Sequence, residues 1–207
     1  MTPAGTPCRP FHALRPLFTA DEIRARVHAM ADTLAAGLPD DELRCVALLN
    51  GSFIFAADLA RALADRDVHL VIDFMTPASY GGETTSSGSV TLKHDLSLPV
   101  DGRDVLLVDD ILDTGRTLQT VCRLLQERGA ASVRTCVLLD KPSRRRVPVT
   151  ADLAGFVIDD VFVVGYGLDC GGRYRHLPYL AALPPDLAPD APAAAGESRP
   201  DPACQPR

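Results

Sequence analysis

The sequence predicts an α/β fold with a mainly parallel central sheet flanked by helices. Short, near-continuous apolar runs recur along the chain, as they do in strands buried on both faces. Stretches with helical spacing of apolar residues alternate with these runs, which is the βαβ rhythm. One run, Val105–Val108, passes straight into a turn rich in Asp, Thr and Gly and then into a helix.

The first element is a helix from about Ala20 to Gly37, with Ile23, Val27, Met30 and Leu34 at helical spacing. Thr19 caps it, Glu22 completes a capping box, and Phe18 with Ile23 has the spacing of a hydrophobic staple. Cys45–Leu49 is a short strand that meets a turn at Asn50-Gly51-Ser52. A helix follows from Phe53 to Ala64 with Ser52 as its cap, and Val68–Phe74 is the next strand. The stretch Ser79-Tyr80-Gly81-Gly82-Glu83-Thr84-Thr85-Ser86-Ser87-Gly88 is small, polar and glycine-rich, and its length suits a binding loop. Val90–Leu92 and Val105–Val108 read as strands, and a helix runs from about Arg116 to Arg128 with Gly129 at its C′ position. Val133–Leu139 is another strand, and Phe156–Ile158 and Val161–Val164 flank an Asp159-Asp160 turn. The chain thus divides into an N-terminal extension over 1–16, one domain over 17–183, and a Pro/Ala-rich tail over 184–207. The tail is read as disordered because it has too little apolar surface to offset its ordering entropy.

Composition narrows the function. Hydrophobic residues make up 46% and charged residues 23% of the 207 residues, as in an ordinary soluble globular protein. No apolar run approaches a membrane span and no signal peptide is evident, so a cytoplasmic protein with no membrane partner is expected. The net charge of −6 disfavours a nucleic-acid partner, whose footprint is usually basic. An acidic chain that handles an anion needs local help from a metal, backbone N–H groups or a few placed cations. The cysteines Cys8, Cys45, Cys122, Cys136, Cys170 and Cys204 form no C-x-x-C pair and read as free thiols rather than a zinc site or disulfide framework.

The chemistry concentrates in Val105–Thr117. A buried strand ends in two adjacent carboxylates, Asp109 and Asp110, and a turn with Asp113, Thr114, Gly115 and Thr117 opens a helix. In open parallel sheets ligands bind outside the carboxyl ends of the strands. The helix start offers free N–H groups to a phosphate, Gly115 permits close backbone approach, and the threonines add hydroxyls. Carboxylates repel phosphate but accept hydrogen bonds from ribose hydroxyls or hold a hard cation. A phosphorylated sugar satisfies both halves of this motif.

The full string Val105-Leu106-Leu107-Val108-Asp109-Asp110-Ile111-Leu112-Asp113-Thr114-Gly115-Arg116-Thr117-Leu118 resembles the phosphoribosyl-pyrophosphate loop of the type I phosphoribosyltransferases. Across 18–183 the chain is similar to bacterial hypoxanthine-guanine phosphoribosyltransferases. Leu48-Leu49-Asn50-Gly51-Ser52-Phe53-Ile54-Phe55 resembles the family's pyrophosphate loop, and Ser79-Tyr80-Gly81 the start of its lid. Leu138-Leu139-Asp140-Lys141-Pro142 resembles the strand end with its purine-binding lysine. Phe162-Val163-Val164-Gly165-Tyr166-Gly167-Leu168-Asp169 and Tyr174-Arg175-His176-Leu177 resemble the small hood of its active site.

The resemblance implies transfer of the phosphoribosyl group from phosphoribosyl pyrophosphate to an oxopurine base, with Mg2+ as cofactor. It implies that Asp109 and Asp110 hold the ribose hydroxyls directly or through magnesium, and that Asp113, Thr114, Gly115, Arg116 and Thr117 cradle the 5′-phosphate. Asp113 is implied as general acid/base at purine N7. Asn50, Gly51 and Arg175 are implied for pyrophosphate, and Ser79 and Tyr80 for the lid. Lys141, Phe162, Val163 and Asp169 are implied for the purine, with Asp169 also on magnesium. A homodimer or homotetramer is implied as well. Asn50 departs from the family, which often has Lys or Arg there, and this weakens the expected pyrophosphate contact. Which oxopurine is preferred stays open. One alternative is a phosphoribosyltransferase for another base, such as xanthine or a pyrimidine, although Lys141 and Phe162 favour a 6-oxopurine, and another is a non-catalytic regulator on the same fold that binds RNA or DNA. The acidic charge speaks against it, and the one basic run, Arg144-Arg145-Arg146, reads as a solvated turn or a subunit contact.

Overall fold

The computed structural model describes residues 14–37, 42–77 and 92–184. In chain order the elements are β1 (Pro16–Phe18), α1 (Ala20–Ala35), β2 (Leu43–Leu48), α2 (Phe53–Ala64), β3 (Leu70–Pro77), β4 (Leu92–His94) and β5 (Asp104–Leu112). They continue with α3 (Arg116–Glu127), β6 (Ser132–Asp140), a short 3-10 turn (Pro142–Arg144), β7 (Leu153–Val157), β8 (Val163–Val164) and β9 (Leu180–Ala182). The chain divides into two compact units: residues 24–160, and the N-terminal stretch to Ile23 together with the chain from Val161 on.

The larger unit holds a six-stranded sheet in the order β4-β3-β2-β5-β6-β7. Every pairing is parallel except β3 with β4. The strand order reverses between β2 and β5: the chain moves outward to β3 on one side and to β6 and β7 on the other. Such a switch point is where a parallel sheet opens a crevice at its carboxyl edge.

Local sequence explains most of these elements. Glu22 accepts the Thr19 N–H at 2.8 Å and Thr19 Oγ1 accepts the Glu22 N–H at 3.3 Å, the expected capping box. The α1 helix buries Ile23, Val27, Met30 and Leu34 and stops at Ala35, where the Gly37 N–H turns back to Leu34 O. In α2 the buried stripe is Phe55, Ala56, Leu59, Ala62 and Leu63. Ser52 does not cap it: its backbone is already helical, and its buried hydroxyl donates to Leu48 O at 2.5 Å. The α3 helix begins behind Gly115, whose φ is 84°, and buries Leu118, Val121 and Leu125 against Val46, Leu48, Val105, Leu107 and Val137. Gly129 closes it at φ 85°, as its C′ position requires. Arg26 of α1 donates to the carbonyls of Ala154 and Gly155 on the edge strand β7.

The ladder corrects the sequence reading of β5. That reading ended the strand at Val108, where pairing with β2 does end. Pairing with β6 continues to Leu112 opposite Asp140, so β5 projects beyond β2 and carries Asp109 and Asp110 within the strand rather than at its end. Backbone pairing is indifferent to the side chains, and the sequence shows only where the apolar run stops.

The smaller unit is an antiparallel sheet in the order β1-β9-β8, with Pro16 opposite Ala181 and Val163 opposite Ala182. Its core gathers Leu14, Val164, Cys170, Tyr174, Leu177, Ala181 and Leu183, with Phe162 and Tyr179 packed against them. The two runs that flank Asp159-Asp160 therefore belong to different sheets. Neither β1 nor β9 was expected, since three residues show no periodicity. Cys45 and Cys136 are buried free thiols, Cys122 is a half-buried one, and Cys170 is buried. Burial pushes the Cys45 thiol up to about 12 and that of Cys122 to about 11, which leaves them unreactive. Cys8 and Cys204 lie outside the described residues, as do most of 1–16 and nearly all of 184–207.

Candidate functional site

The two turns that leave the switch point carry most of the expected site. After β2 come Asn50, Gly51 and Ser52, reached through a cis Leu49–Asn50 peptide. The projecting end of β5 brings Asp110 against this turn, and a methyl group on Gly51 would lie 1.7 Å from Asp110 Oδ2. The Asp110 carboxylate thus lies against the backbone of Gly51, and a side chain at 51 would displace it.

Asp109 is buried and accepts the Asp110 N–H at 3.0 Å. Burial, and then the negative charge of Asp110, hold its carboxyl well above the usual carboxylate range. A buried carboxylate with a half-buried one beside it is a poor arrangement in isolation. They suit a partner that brings positive charge or hydrogen-bond donors, and perturbed groups of this kind gather at functional sites. Among the described residues no group of three or more His, Cys, Asp or Glu is placed to hold a metal by itself. Magnesium does not need one, since it is held through one or two carboxylates plus substrate phosphates and waters. The Asp109–Asp110 pair fits that pattern.

Beyond β5 the backbone bends through Asp113, Thr114 and Gly115 into α3. The N–H groups of Thr114, Gly115, Thr117 and Leu118 make no hydrogen bond among the described residues, while the Arg116 N–H makes a long one, 3.4 Å, to Thr114 Oγ1. Successive unpaired N–H groups at a helix start form an anion cradle. Gly115 cannot be replaced here, because its φ is 84° and a Cβ would lie 2.4 Å from Val149 Cγ1. Thr117 and Arg116 stay exposed at the first turn.

Asp113 and Lys141 lie on either side of the β5–β6 edge. The Lys141 N–H donates to Leu112 O at 3.0 Å. The Lys141 side chain is only 7% exposed, and its ammonium has no hydrogen-bond partner among the described residues. Burial lowers its pKa, and the charges of Asp113 and Asp160 partly restore it. An ammonium with free donors at the end of a largely buried stem is a ready partner for an acceptor atom on a ligand. Asp113 is held by Arg144, whose Nε donates to Asp113 Oδ1 at 3.1 Å and whose Nη1 reaches Asp160 Oδ2 at 3.5 Å. Sequence reasoning passed over Arg144, because no local pattern shows that a turn after β6 folds back onto the loop after β5.

In the smaller unit, Arg175 pairs with Asp169 at 2.7 Å and donates to Gly167 O at 2.6 Å. Asp169 also accepts the Gly172 N–H at 2.5 Å. Phe162 is half-buried on the unit's core, its carbonyl taken by the Leu183 N–H at 2.7 Å, and Val163 is buried in β8. Ser79 and Tyr80 lie outside the described residues.

Residues 19–170 match the family model described as the phosphoribosyl transferase domain. The chain is 41% identical over 169 residues to the hypoxanthine-guanine phosphoribosyltransferase of Bacillus subtilis (strain 168), which covers 82% of this chain and 92% of that one. It is 42% identical over 174 residues to the hypoxanthine phosphoribosyltransferase of Escherichia coli (strain K12), with 83% and 96% covered. It is also 42% identical over 171 residues to the bifunctional protein TilS/HprT of Listeria innocua, and it spans 26% of that longer protein. Among solved structures it is similar to a ternary substrates complex of a mutant hypoxanthine phosphoribosyltransferase from Trypanosoma cruzi. The TM-score there is 0.78 at 41% identity, with 83% of this chain and 96% of that chain covered.

Proposed function

The chain belongs to the phosphoribosyl transferase domain family, and from that premise we propose that it is a purine salvage enzyme. It transfers the 5-phosphoribosyl group from phosphoribosyl pyrophosphate to hypoxanthine or guanine, giving IMP or GMP and pyrophosphate. The observation that carries this reading is the cradle of unpaired N–H groups behind Asp113, set beside the carboxylates of buried Asp109 and half-buried Asp110 at the sheet's switch point. Residues 17–183 form the transferase domain in this reading.

In the reaction the bond from the anomeric carbon to pyrophosphate breaks and a bond from that carbon to purine N9 forms. The loop from Asp113 to Thr117 binds the 5′-phosphate through its N–H groups and fixes the ribose. Asp109 and Asp110 accept hydrogen bonds from the ribose hydroxyls, and they are also the residues that would hold Mg2+. When bound, magnesium offsets the negative charge of the departing pyrophosphate. Asp113 takes the proton that leaves N7 as the base becomes bonded, and Arg144 keeps one of its oxygens engaged so that the other faces a single direction. Lys141 donates to the 6-oxo group. Adenine offers a donor there, so the Lys141 ammonium would face a donor and lose its partner, which disfavours that base. Backbone at Asn50 and Gly51 contacts the pyrophosphate.

For Phe162 stacked on the purine, Val163 and Asp169 at its edge, Asp169 on magnesium and Arg175 on pyrophosphate, the support is the family resemblance. The same holds for a homodimer or homotetramer. The charged sugar donor does not cross membranes unaided, which supports a cytoplasmic location, and no helix among the described residues is long and apolar enough to cross a membrane.

The test is stoichiometry. Purified protein with phosphoribosyl pyrophosphate, magnesium and hypoxanthine should release one pyrophosphate for each IMP formed, and a chelator should stop both. Pyrophosphate released without IMP would mean that water, not the base, is the acceptor, and would overturn the reading.

A further inference from the structure

A loop that offers its N–H groups to an anion must turn its carbonyl oxygens the other way, and those oxygens then need donors of their own. The loop after β5 meets this requirement through one distant segment. Leu112 O accepts from the Lys141 N–H at 3.0 Å and from Arg145 Nη1 at 2.9 Å. Asp113 O accepts from the same arginine nitrogen, and Thr114 O accepts from the Arg146 N–H at 2.9 Å. Only Gly115 O is satisfied by the helix itself, through the Gln119 N–H at 3.0 Å.

Arg145 is the centre of this arrangement. Its side chain is 16% exposed, and its other terminal nitrogen pairs with the Asp140 carboxylate at the end of β6. Its Cδ, with Val147 and Val149, packs where a side chain on Gly115 would otherwise sit. The guanidinium is therefore anchored at the strand end and delivers donors to two successive carbonyls of the loop. The planar fork of arginine can hold such a set of acceptors in fixed directions, which a lysine ammonium cannot. Of the basic run read from sequence as a solvated turn or a subunit contact, Arg144 and Arg146 are exposed, while Arg145 is a brace.

We propose that Arg145 is the positioning residue that sets the polarity of the phosphate loop, an inference that rests on the phosphoribosyl-binding reading above. Without the guanidinium, Asp113 O loses its donor and Leu112 O keeps only the Lys141 N–H. Rotation of the Asp113–Thr114 peptide would relieve this by turning a carbonyl into the cradle, where it would replace a donor to phosphate with an acceptor that repels it. The loss falls on phosphate binding and not on purine binding.

The test uses the full chain as Arg145→Met, which keeps the aliphatic stem, Arg145→Lys and Asp140→Asn, which leaves the guanidinium but removes its anchor. KM for each substrate, kcat, and calorimetric binding of ribose 5-phosphate are measured. Arg145→Met should raise KM for phosphoribosyl pyrophosphate and Kd for ribose 5-phosphate by about tenfold or more, the size expected for a lost charge-assisted hydrogen bond. KM for hypoxanthine at saturating donor should stay within about twofold. Arg145→Lys and Asp140→Asn should move the same two constants in the same direction by less. Phosphate-side constants within about twofold of wild type, or an equal rise in both substrates' KM, would overturn the proposal. If Arg145→Met does not fold, the other two variants decide by the same criteria. A wild-type protein that binds ribose 5-phosphate but makes no nucleotide would refute the enzyme reading, and the ribose 5-phosphate titrations would still judge this one.

Discussion

Replacing Gly51 with alanine should damage donor binding far more than it damages the fold. The added methyl would sit 1.7 Å from Asp110 Oδ2 and 2.5 Å from its Cγ, whereas real Cβ atoms essentially never approach other heavy atoms within 3.0 Å. Either the Asp110 carboxylate or the turn after β2 must therefore move by roughly 1 Å, and a displacement of that size at a reacting centre can cost on the order of 100-fold in rate. Overpacking of this kind destabilises by about 1–3 kcal/mol, which for a domain of this size lowers the melting temperature by roughly 2–12 °C. Steady-state kinetics with varied phosphoribosyl pyrophosphate and a thermal melt on the same sample would read both effects. A variant with KM for the donor and kcat both within about twofold of wild type would refute the adjacency of these two turns as a requirement for catalysis.

Other substitutions probe the remaining parts. Asp113→Asn should lower kcat by about 10²–10⁴, the usual contribution of a general base, with little change in donor KM. An unchanged kcat would remove Asp113 from that role. Lys141→Met should lower kcat/KM for hypoxanthine by about 10- to 100-fold, the range for a charge-assisted hydrogen bond, while adenine stays a poor substrate; an unchanged hypoxanthine-to-adenine ratio would assign O6 to another group. Asp95→Asn removes a two-pronged pair in which Arg128 donates at 2.6 and 2.7 Å and should cost about 0.5–1 kcal/mol, as exposed pairs do. The hydrogen bonds from Arg128 hold the Asp95 carboxyl below its ordinary value. Its contribution is therefore present above the unfolded carboxylate pKa of about 4 and vanishes as pH falls through the lower folded value. A stability difference between wild type and variant that persists in acid would contradict this. Leu107→Ala, at a fully buried core position, should cost about 2–5 kcal/mol in denaturant unfolding, with normal turnover per folded molecule.

Much of the fold was legible because local sequence and tertiary contact agree. The bounds of α2, the start of α1 at the Thr19–Glu22 box and the close of α3 at Gly129 all follow from spacing and end chemistry. Three-residue strands such as β1 and β9 carry no period and become strands only because they find each other. The end of β5 was misjudged because the sequence shows where apolar residues stop, while the strand is held further by its ladder to β6. Ser52 has the right chemistry for a cap, but its backbone is already helical, which aims its oxygen away from the helix N–H groups, and its hydroxyl donates to Leu48 O. In the site, Asp109 to Thr117 could be read because one contiguous stretch supplies strand end, turn and helix start. Lys141 alone would pass for a solvated lysine, and its burial comes from the packing around the end of β6. Arg144 and Arg145 read only as part of a solvated turn or a subunit contact, since their partners Asp113 and Leu112 lie about thirty residues back on another strand end.

The most direct test of the central claim is a base panel. Hypoxanthine, guanine, xanthine, adenine and uracil are each offered with phosphoribosyl pyrophosphate and magnesium, and nucleotide formation is followed. The account predicts rapid formation of IMP or GMP, and little or no AMP or UMP. Preferred conversion of adenine or uracil, or no nucleotide from any base by a folded protein, would contradict it.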